Sequence, residues 1–504
     1  MIAPDYSPAR ALLRAAKQHP DRRSIIWPDG QEPWTVGRSA DVVSRTVSAL
    51  RALGIAEGDR VVFAAANSAW VFLLHVACAW IGAVTVPVSE RLPLDVLEGI
   101  IDSIRPRLVL TDPDSALAGR AGMRVLELGG FASLSLASPP APGAPRALGS
   151  EPAAIVYTSG SAGRTRGVEL SHAQLWWGSM CFRDGFEYAP YEEVVGVCAP
   201  VSHIGGFNGT SLDVFSHGGA IRVFSGFDPV EVLTSIEADR ISMMFVVPVM
   251  CHLLLDANAS LGADLSSWHR PLVGGDAMGP ALAQRLRSAG LRPIHVWGMT
   301  ETAGAGMMAS PDSAAPAGAL GAPFPYVDAR LVLADGAPAR PGEIGEIEVR
   351  GPGVAQTFIS AGERGPARVR DGWLATGDLA TRDEEGWYTI VGRASRMINT
   401  GGELVAPARL EELIRGLDGV DDAIVVGVPD ERWGQVVSAL LVDRSGLRSG
   451  SARETVAVLD RRLAPWERIR RAAWVESLPQ LPNGKPDARA AERMLMEAEQ
   501  RRMW

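Results

Sequence analysis

Lysine is almost missing from this chain. Lys17 and Lys485 are the only two among 49 Lys and Arg residues in a sequence of 504. Arginine fills nearly every cationic position, so a position that keeps lysine asks for a reason. Cysteine is also scarce. Cys78, Cys181, Cys198 and Cys251 form no CxxC pair, which excludes the usual short metal and redox motifs. Most of them lie among apolar neighbours and read as small core residues in a reducing cytoplasm. A basic surplus is missing as well. The formal net charge is −9, which excludes a nucleic-acid binder. The N-terminal MIAPDYSPAR has charges where an export signal needs an apolar run. Formal charge is absent from Val61 to Ser89, a length that suggests a membrane span. Asn67, Ser68 and His75 interrupt that stretch, and Gly82 and Pro87 break it. It reads instead as a buried strand (VVFAAA), a helix from Asn67 to about Trp80, and a second strand (AVTVPV). No membrane span is expected.

A chain this long exceeds one ordinary core, so at least two domains are expected. Apolar strands alternating with helices indicate a parallel sheet. The alternation pauses at the Pro/Ala/Ser/Gly-rich segment 132–150, a surface loop or subdomain boundary. It resumes with AAIVYT, a loop, and a helix capped by Ser171. VVGVCAP, a helix over 229–237 and SMMFVVP extend it. After about Gly318 the texture changes. ARLVL, GEIGEIEVRG and GWYTIVGR alternate and carry glycine turns, the pattern of short antiparallel strands in a small barrel or sheet. From about Ser395 a tail of roughly one hundred residues has the size of an α+β domain. Lys485 belongs to that tail.

The chemistry concentrates in a few segments. In IVYTSGSAGRTRGVELSH a strand ends at Tyr157. Then come Thr158, Ser159, Gly160, Ser161, Gly163, Arg164, Arg166 and Gly167. Glycines let the backbone turn tightly and aim N–H groups at an anion. Hydroxyls add donors, and arginines neutralise phosphate. A flexible linker would share the glycines but not the strand and the two arginines. It is not a Walker A loop, because G-x-x-x-x-G-K-[ST] is absent. WGMTE follows the apolar strand IHV. Thr300 there can offer a hydroxyl to phosphate, and Glu301 a carboxylate to Mg²⁺. TGDL ends another strand-like run, and Asp378 can accept from ribose hydroxyls. Gly392 and Arg393 precede MINTGGE, whose paired glycines permit a close approach or a hinge.

Taken in order, these pieces resemble the adenylate-forming superfamily, most of all acyl-CoA synthetases. The resemblance runs from about Asn67 to Lys485. It implies an α/β fold: a large N-terminal domain over 1–393 with two doubly wound α/β subdomains and a small β-barrel. A hinge at 394–396 and a small mobile α+β domain over 397–504 would follow. It implies ATP, Mg²⁺ and CoA as cofactors and co-substrates. The loop from Thr158 to Gly167 would grip phosphates. Gly275, Asp276 and Ala277 in VGGDAMG would contact adenine. Trp297 and Gly298 would line the nucleotide, Thr300 would touch phosphate and Glu301 would hold Mg²⁺. Asp378 and Arg393 would bind ribose. PNGK would place Lys485 as the catalytic lysine. Its slim ammonium can enter between a carboxylate and the α-phosphate, where a wider guanidinium is no equivalent.

This sequence departs from the family pattern in places. Ala162, Thr165 and Arg166 stand where the phosphate loop usually has Thr, Pro and Lys. The hinge offers Ala394, Ser395 or Arg396 instead of the common Asp or Lys. Pro486 and Asp487 follow the lysine. PVSHIGGFNG resembles the segment lining the acid pocket. It implicates His203 as a gating residue, with Gly206, Phe207, Gly274, Gly298 and Gly304 also lining the acid. Gly205, Gly206, Gly209 and Gly304 are small enough to leave room for a bulky acyl group. No acid lies between His203 and Phe207 to pair an α-amine, which favours a hydrophobic acid that is not an amino acid. The expected function is a carboxylate–CoA ligase. Transfer to a carrier protein is a second reading within the superfamily, and a non-catalytic ATP-binding scaffold is a reading of another class. A dehydrogenase is disfavoured, since no strand–GxGxxG–helix unit is present. Oligomeric state is not fixed.

Overall fold

The computed structural model describes residues 5–28, 30–113, 115–118, 123–159, 165–276, 278–316, 318–360, 362–401, 403–443, 450–480 and 486–502. The chain divides into two compact units. The first holds Met1–Arg330, Glu348–Ala375 and Glu385–Thr389. The second holds Leu331–Ile347, Thr376–Glu384 and Ile390–Trp504. By this division residues 394–396 fall in the second unit.

Two sheets build the first unit, each with the parallel strands that the strand–helix alternation indicates and with antiparallel strands added. In one, the strands Ile294–Trp297, Arg270–Gly274, Met243–Val246, Val194–Val197 and Ala220–Val223 lie side by side and parallel. Shorter strands complete it: Met307–Ala309 and Ala322–Pro323 beyond one edge, Arg23–Ile26 and Trp34–Thr35 beyond the other. These central strands are mostly apolar on both faces, as a parallel sheet covered by helices requires, with Arg222 and His295 as buried exceptions. Val232, Leu233, Ile236, Cys251, Leu254 and Leu282, from three covering helices, bury against it. The uncharged stretch forms part of the second sheet. It gives the strand Arg60–Ala64, the helix Trp70–Ile81 and the strand Val84–Pro87. That helix is buried on nearly every side, so its apolarity serves the core. No helix among the described residues is long and apolar enough to cross a membrane.

One expectation is corrected here. The sequence pattern leads from the phosphate loop straight to a helix. The strand Pro152–Ser159 instead returns as the strand Thr165–Ser171, antiparallel to it, before the helix His172–Phe186 begins. Arg166 and Gly167 are therefore strand residues, opposite Thr158 and Tyr157. Val168 and Leu170 are buried while Glu169 between them is not, the period-two pattern of a strand. Ser171 caps the helix as expected, within a capping box completed by Gln174.

The barrel-like sheet has the order Asp328–Val332, Gly345–Arg350, Trp373–Arg382, Val369–Arg370, with Tyr388–Arg393 also paired to Trp373–Arg382. The second unit's own sheet pairs Asp422–Asp430 with Gly434–Val442 antiparallel, and the latter with Arg471–Val475 parallel. Alternate residues of Asp422–Asp430 enter different cores. Val425 packs with Leu410 and Ile414, whereas Ile424, Val426 and Val428 pack with Leu478, Ala491 and Leu495. A helix layer thus covers each face.

All four cysteines are free and buried. Burial pushes each thiol up to about 12.

Candidate active site

The parallel order of the first sheet sets the geometry. Because Val194–Val197, Met243–Val246, Arg270–Gly274 and Ile294–Trp297 are parallel neighbours, their carboxyl ends share one edge. Four segments leave from that edge: Pro200–Phe207, Gly274–Asp276 and Gly298–Gly304, which the sequence singles out, and Val247–Pro248, which it does not. Ligands of open α/β sheets bind at such an edge. Asn67, which begins the segment before the helix Trp70–Ile81, ties the second sheet to it. Its side-chain amide donates to Ala199 O at 2.9 Å, and its oxygen accepts from Val201 N at 2.9 Å.

Glu301 sits in a short 3-10 turn, Thr300–Thr302, that ends at Ala303 in the left-handed region, φ 52°. Thr300, Glu301 and Thr302 are all buried. Thr302 Oγ1 accepts from Met299 N and closes the turn. Glu301 O accepts from Ala355 N at 2.7 Å. Asn208, fully buried, donates to Ala303 O and Leu175 O. The Glu301 carboxylate meets Arg166, with Nη2 at 2.6 Å from Oε1. The phosphate-loop cation and the metal carboxylate predicted from sequence are thus direct partners. Thr158 Oγ1 donates to Arg166 O at 3.3 Å, completing the link to the hairpin.

His203 precedes the single-turn helix Ile204–Phe207 and is half-buried. Phe207 is fully buried, edge-on to His75 with centroids 5.0 Å apart. A Cβ on Gly206 would lie 2.4 Å from Pro200 O and 2.6 Å from Ala199 O. Gly206 therefore owes its size to backbone packing and not to acyl space. Gly298 is similar: a Cβ there would meet Gly304 O at 1.9 Å. Phe245 closes over Gly205, and Phe182 lies beside Gly209 and Gly304. Gly274 ends its strand against Val296 O, and Gly275 and Asp276 follow it, both exposed. Trp297 ends the adjacent strand, half-buried.

In the second unit, Asp378 lies buried on the strand Trp373–Arg382, and Arg393 Nε is 2.8 Å from its carboxylate. Asp378 N donates to Thr376 Oγ1, whose hydroxyl donates to Ile347 O. Of the three hinge candidates, Arg396 is anchored, to Glu411 Oε1 at 2.6 Å, while Ala394 and Ser395 are exposed. Gly160, Ser161, Gly163, Arg164, Ala277 and Lys485 lie outside the described residues.

The donor set suits Mg²⁺. Glu301 is a buried carboxylate beside a threonine hydroxyl, and no group of three or more His, Cys, Asp or Glu residues is gathered for a metal among the described residues. Mg²⁺ is usually held by one or two carboxylates plus substrate phosphates, not by an all-protein cage. Sequence reasoning missed Asn67, Asn208 and Phe358. Their partners lie far along the chain, and no local pattern marks them.

Comparisons with known proteins agree with this geometry. Residues 12–359 match the AMP-binding enzyme family, and residues 409–485 match the AMP-binding enzyme C-terminal domain. A feruloyl-CoA synthase of Amycolatopsis is 34% identical over 476 residues, 94% of this chain and 96% of the relative. An indoleacetate–CoA ligase of Aromatoleum aromaticum is 28% identical, covering 94% of this chain and 95% of the relative. Among solved structures, ATP-bound MatB of Rhodopseudomonas palustris superposes with a TM-score of 0.86 at 26% identity, over 97% of this chain and 99% of that one. With a buried Glu301 at the carboxyl edge of the sheet and a match along nearly its whole length, the chain belongs to the AMP-binding, adenylate-forming enzymes, most similar to the acyl-CoA synthetases.

Proposed function

We propose that the acid activated by this AMP-forming acid–thiol ligase is aromatic and hydrophobic, of the arylpropenoic or arylacetic type. The single observation behind this is the pair Phe182 and Phe245, with Phe245 packed on Gly205 and Phe182 beside Gly209 and Gly304. The segment His203–Phe207 supplies no carboxylate for an α-amine. The two relatives named above act on acids of these types by their names.

The enzyme uses ATP, Mg²⁺ and CoA. A carboxylate oxygen attacks the α-phosphorus of ATP and pyrophosphate leaves. The CoA thiol then attacks the acyl carbonyl and AMP leaves. In our reading the residues divide this work as follows. Thr158, Ser159 and the loop to Gly167 hold phosphates, with Arg166 in the place of lysine. Glu301 carries the metal, whose charge offsets the triphosphate, and Thr300 adds a hydroxyl to phosphate. Gly275 and Asp276 flank adenine beside Trp297. Asp378 and Arg393 hold the ribose. Lys485 bridges the two anions as they meet, because charge neutralisation is the main need of that step. His203 gates the acid. Domain rotation at 394–396 separates the half-reactions, with Ala394 and Ser395 as the pivot. Four free thiols suit a reducing cytoplasm.

Pyrophosphate release and thioester formation across aliphatic, aromatic and amino acids, with and without CoA, test this reading. Aromatic acids giving both products support it. Release without thioester points to a carrier-protein acceptor. A preference for aliphatic or amino acids refutes the aromatic assignment.

A further inference from the structure

Arg166 and Glu301 are assigned above to different partners, a phosphate and a metal ion, yet in the protein they hold each other. Glu301 is almost fully buried, its side chain 5% exposed, and Arg166 covers it at 29%. The Arg166 guanidinium carbon lies 3.9 Å over the ring of Phe358. Phe358 belongs to the strand Thr357–Ser360 and pairs with Val168, two residues from Arg166. Arg166 Nε is buried without a hydrogen-bond partner among the described residues.

A carboxylate taken out of water needs a counter-charge. Here a guanidinium supplies it, spread flat on an aromatic face where a compact, strongly hydrated ammonium stacks less well. Arginine at 166 is one of the chain's departures from the family's lysine. A guanidinium nitrogen 2.6 Å from Glu301 Oε1 and a Mg²⁺ ion at about 2.0–2.1 Å from the same carboxylate would draw on one negative charge. The two cations repel each other there. The ion pair and the metal therefore compete for Glu301.

We propose that Arg166, seated by Phe358, is the resident counter-ion of Glu301 in the nucleotide-free protein, and that metal binds Glu301 more tightly once phosphate draws Arg166 away. Once the guanidinium turns off Glu301, the unpartnered Nε becomes a further donor for phosphate. Metal and triphosphate then bind with positive coupling, and by linkage each strengthens the other equally. Phe358 is a positioning residue in this scheme. The proposal rests on the reading of Glu301 as the metal carboxylate.

The test is Mn²⁺ binding to the full chain, read by the electron paramagnetic resonance of free Mn²⁺, with and without a non-hydrolysable ATP analogue. Without nucleotide, Arg166→Gln should bind Mn²⁺ about tenfold more tightly than wild type, within the usual range of coupling. The analogue should tighten Mn²⁺ binding more in wild type than in Arg166→Gln. Adding Glu301→Gln to Arg166→Gln should remove the gain. Phe358→Leu keeps both charges and should tighten nucleotide-free binding roughly two- to fivefold. This variant also serves if Arg166→Gln does not fold. Wild-type Mn²⁺ affinity in folded Arg166→Gln, with Glu301→Gln still abolishing analogue-supported binding, overturns the proposal and leaves the metal assignment standing. A Glu301→Gln protein that keeps analogue-supported binding removes the assignment itself. Wild-type affinity in folded Phe358→Leu removes the positioning role.

Discussion

Arg393 Nε sits 2.8 Å from the Asp378 carboxylate, the arginine half exposed and the aspartate buried. Asp378 is held from behind by its own backbone, through Thr376. A hydrogen bond to a charged group contributes about 1.5–3 kcal/mol. Asp378→Ala is therefore expected to raise the KM for ATP about 10- to 100-fold, while the KM for the acid changes little. Steady-state kinetics with each substrate varied in turn checks this. An unchanged ATP dependence would remove Asp378 from the ribose.

Under the proposed function, Lys485 serves the first half-reaction and not the second. Lys485→Ala is expected to slow pyrophosphate release about 10²- to 10³-fold, the scale of removing one preorganised charge donor. Lys485→Arg should not restore the rate, because its planar fork is wider than an ammonium. Thioester formation from preformed acyl-adenylate and CoA should stay near wild type in both. Full activity in the arginine variant would leave the retention of this lysine unexplained.

Gly298 leaves no space for a methyl group. A Cβ would stand 1.9 Å from Gly304 O, so the backbone must move. Overpacking of this kind costs about 1–3 kcal/mol. Thr300 and Glu301 follow within three residues and would shift with it. Gly298→Ala should lower the melting temperature by roughly 2–6 °C and kcat by at least about tenfold. A variant matching wild type in both would show that the turn yields freely.

Two buried histidines give a pH signature. Burial holds His75 and His172 down at about 3, with His172 adding to the effect on His75 and Arg146 to that on His172. The folded value lies below the unfolded 6.5, so the folded state stays neutral where the unfolded chain takes up protons. Stability is complete above pH 6.5 and falls as pH drops from there towards 3. At pH 5 the loss is about 2 kcal/mol per histidine. Thermal melting between pH 7.5 and 5 should show this decline, and His172→Asn should flatten it by roughly half. A flat wild-type profile would contradict neutral burial.

Much of this was legible where the pattern is local. Alternating apolar strands and helices announced parallel sheet, and Ser171 announced the helix that follows the hairpin. The hairpin itself was not legible. The strand Thr165–Ser171 also pairs with Thr357–Ser360, far along the chain, and a glycine-rich run gives no sign of that partner. The same distance hid Phe358 beneath Arg166 and Asn67 beneath Ala199. Glu301 was visible as a residue, but its pairing with Arg166 was not, because charge identity does not reveal spatial neighbours. The small glycines misled in the other direction. Gly206 reads from sequence as empty room, yet its missing side chain makes way for Pro200 O.

The four enclosed cysteines bear on how this catalyst can be handled at the bench. A reaction that builds thioesters is endangered by any protein thiolate able to compete for the activated acyl group. Cys78, Cys181, Cys198 and Cys251 are buried with their thiols held at about 12, so at neutral pH none presents a nucleophile. CoA consumption can accordingly be followed with a colorimetric disulfide reagent in the presence of native protein, and a rising protein background would report unfolding rather than turnover.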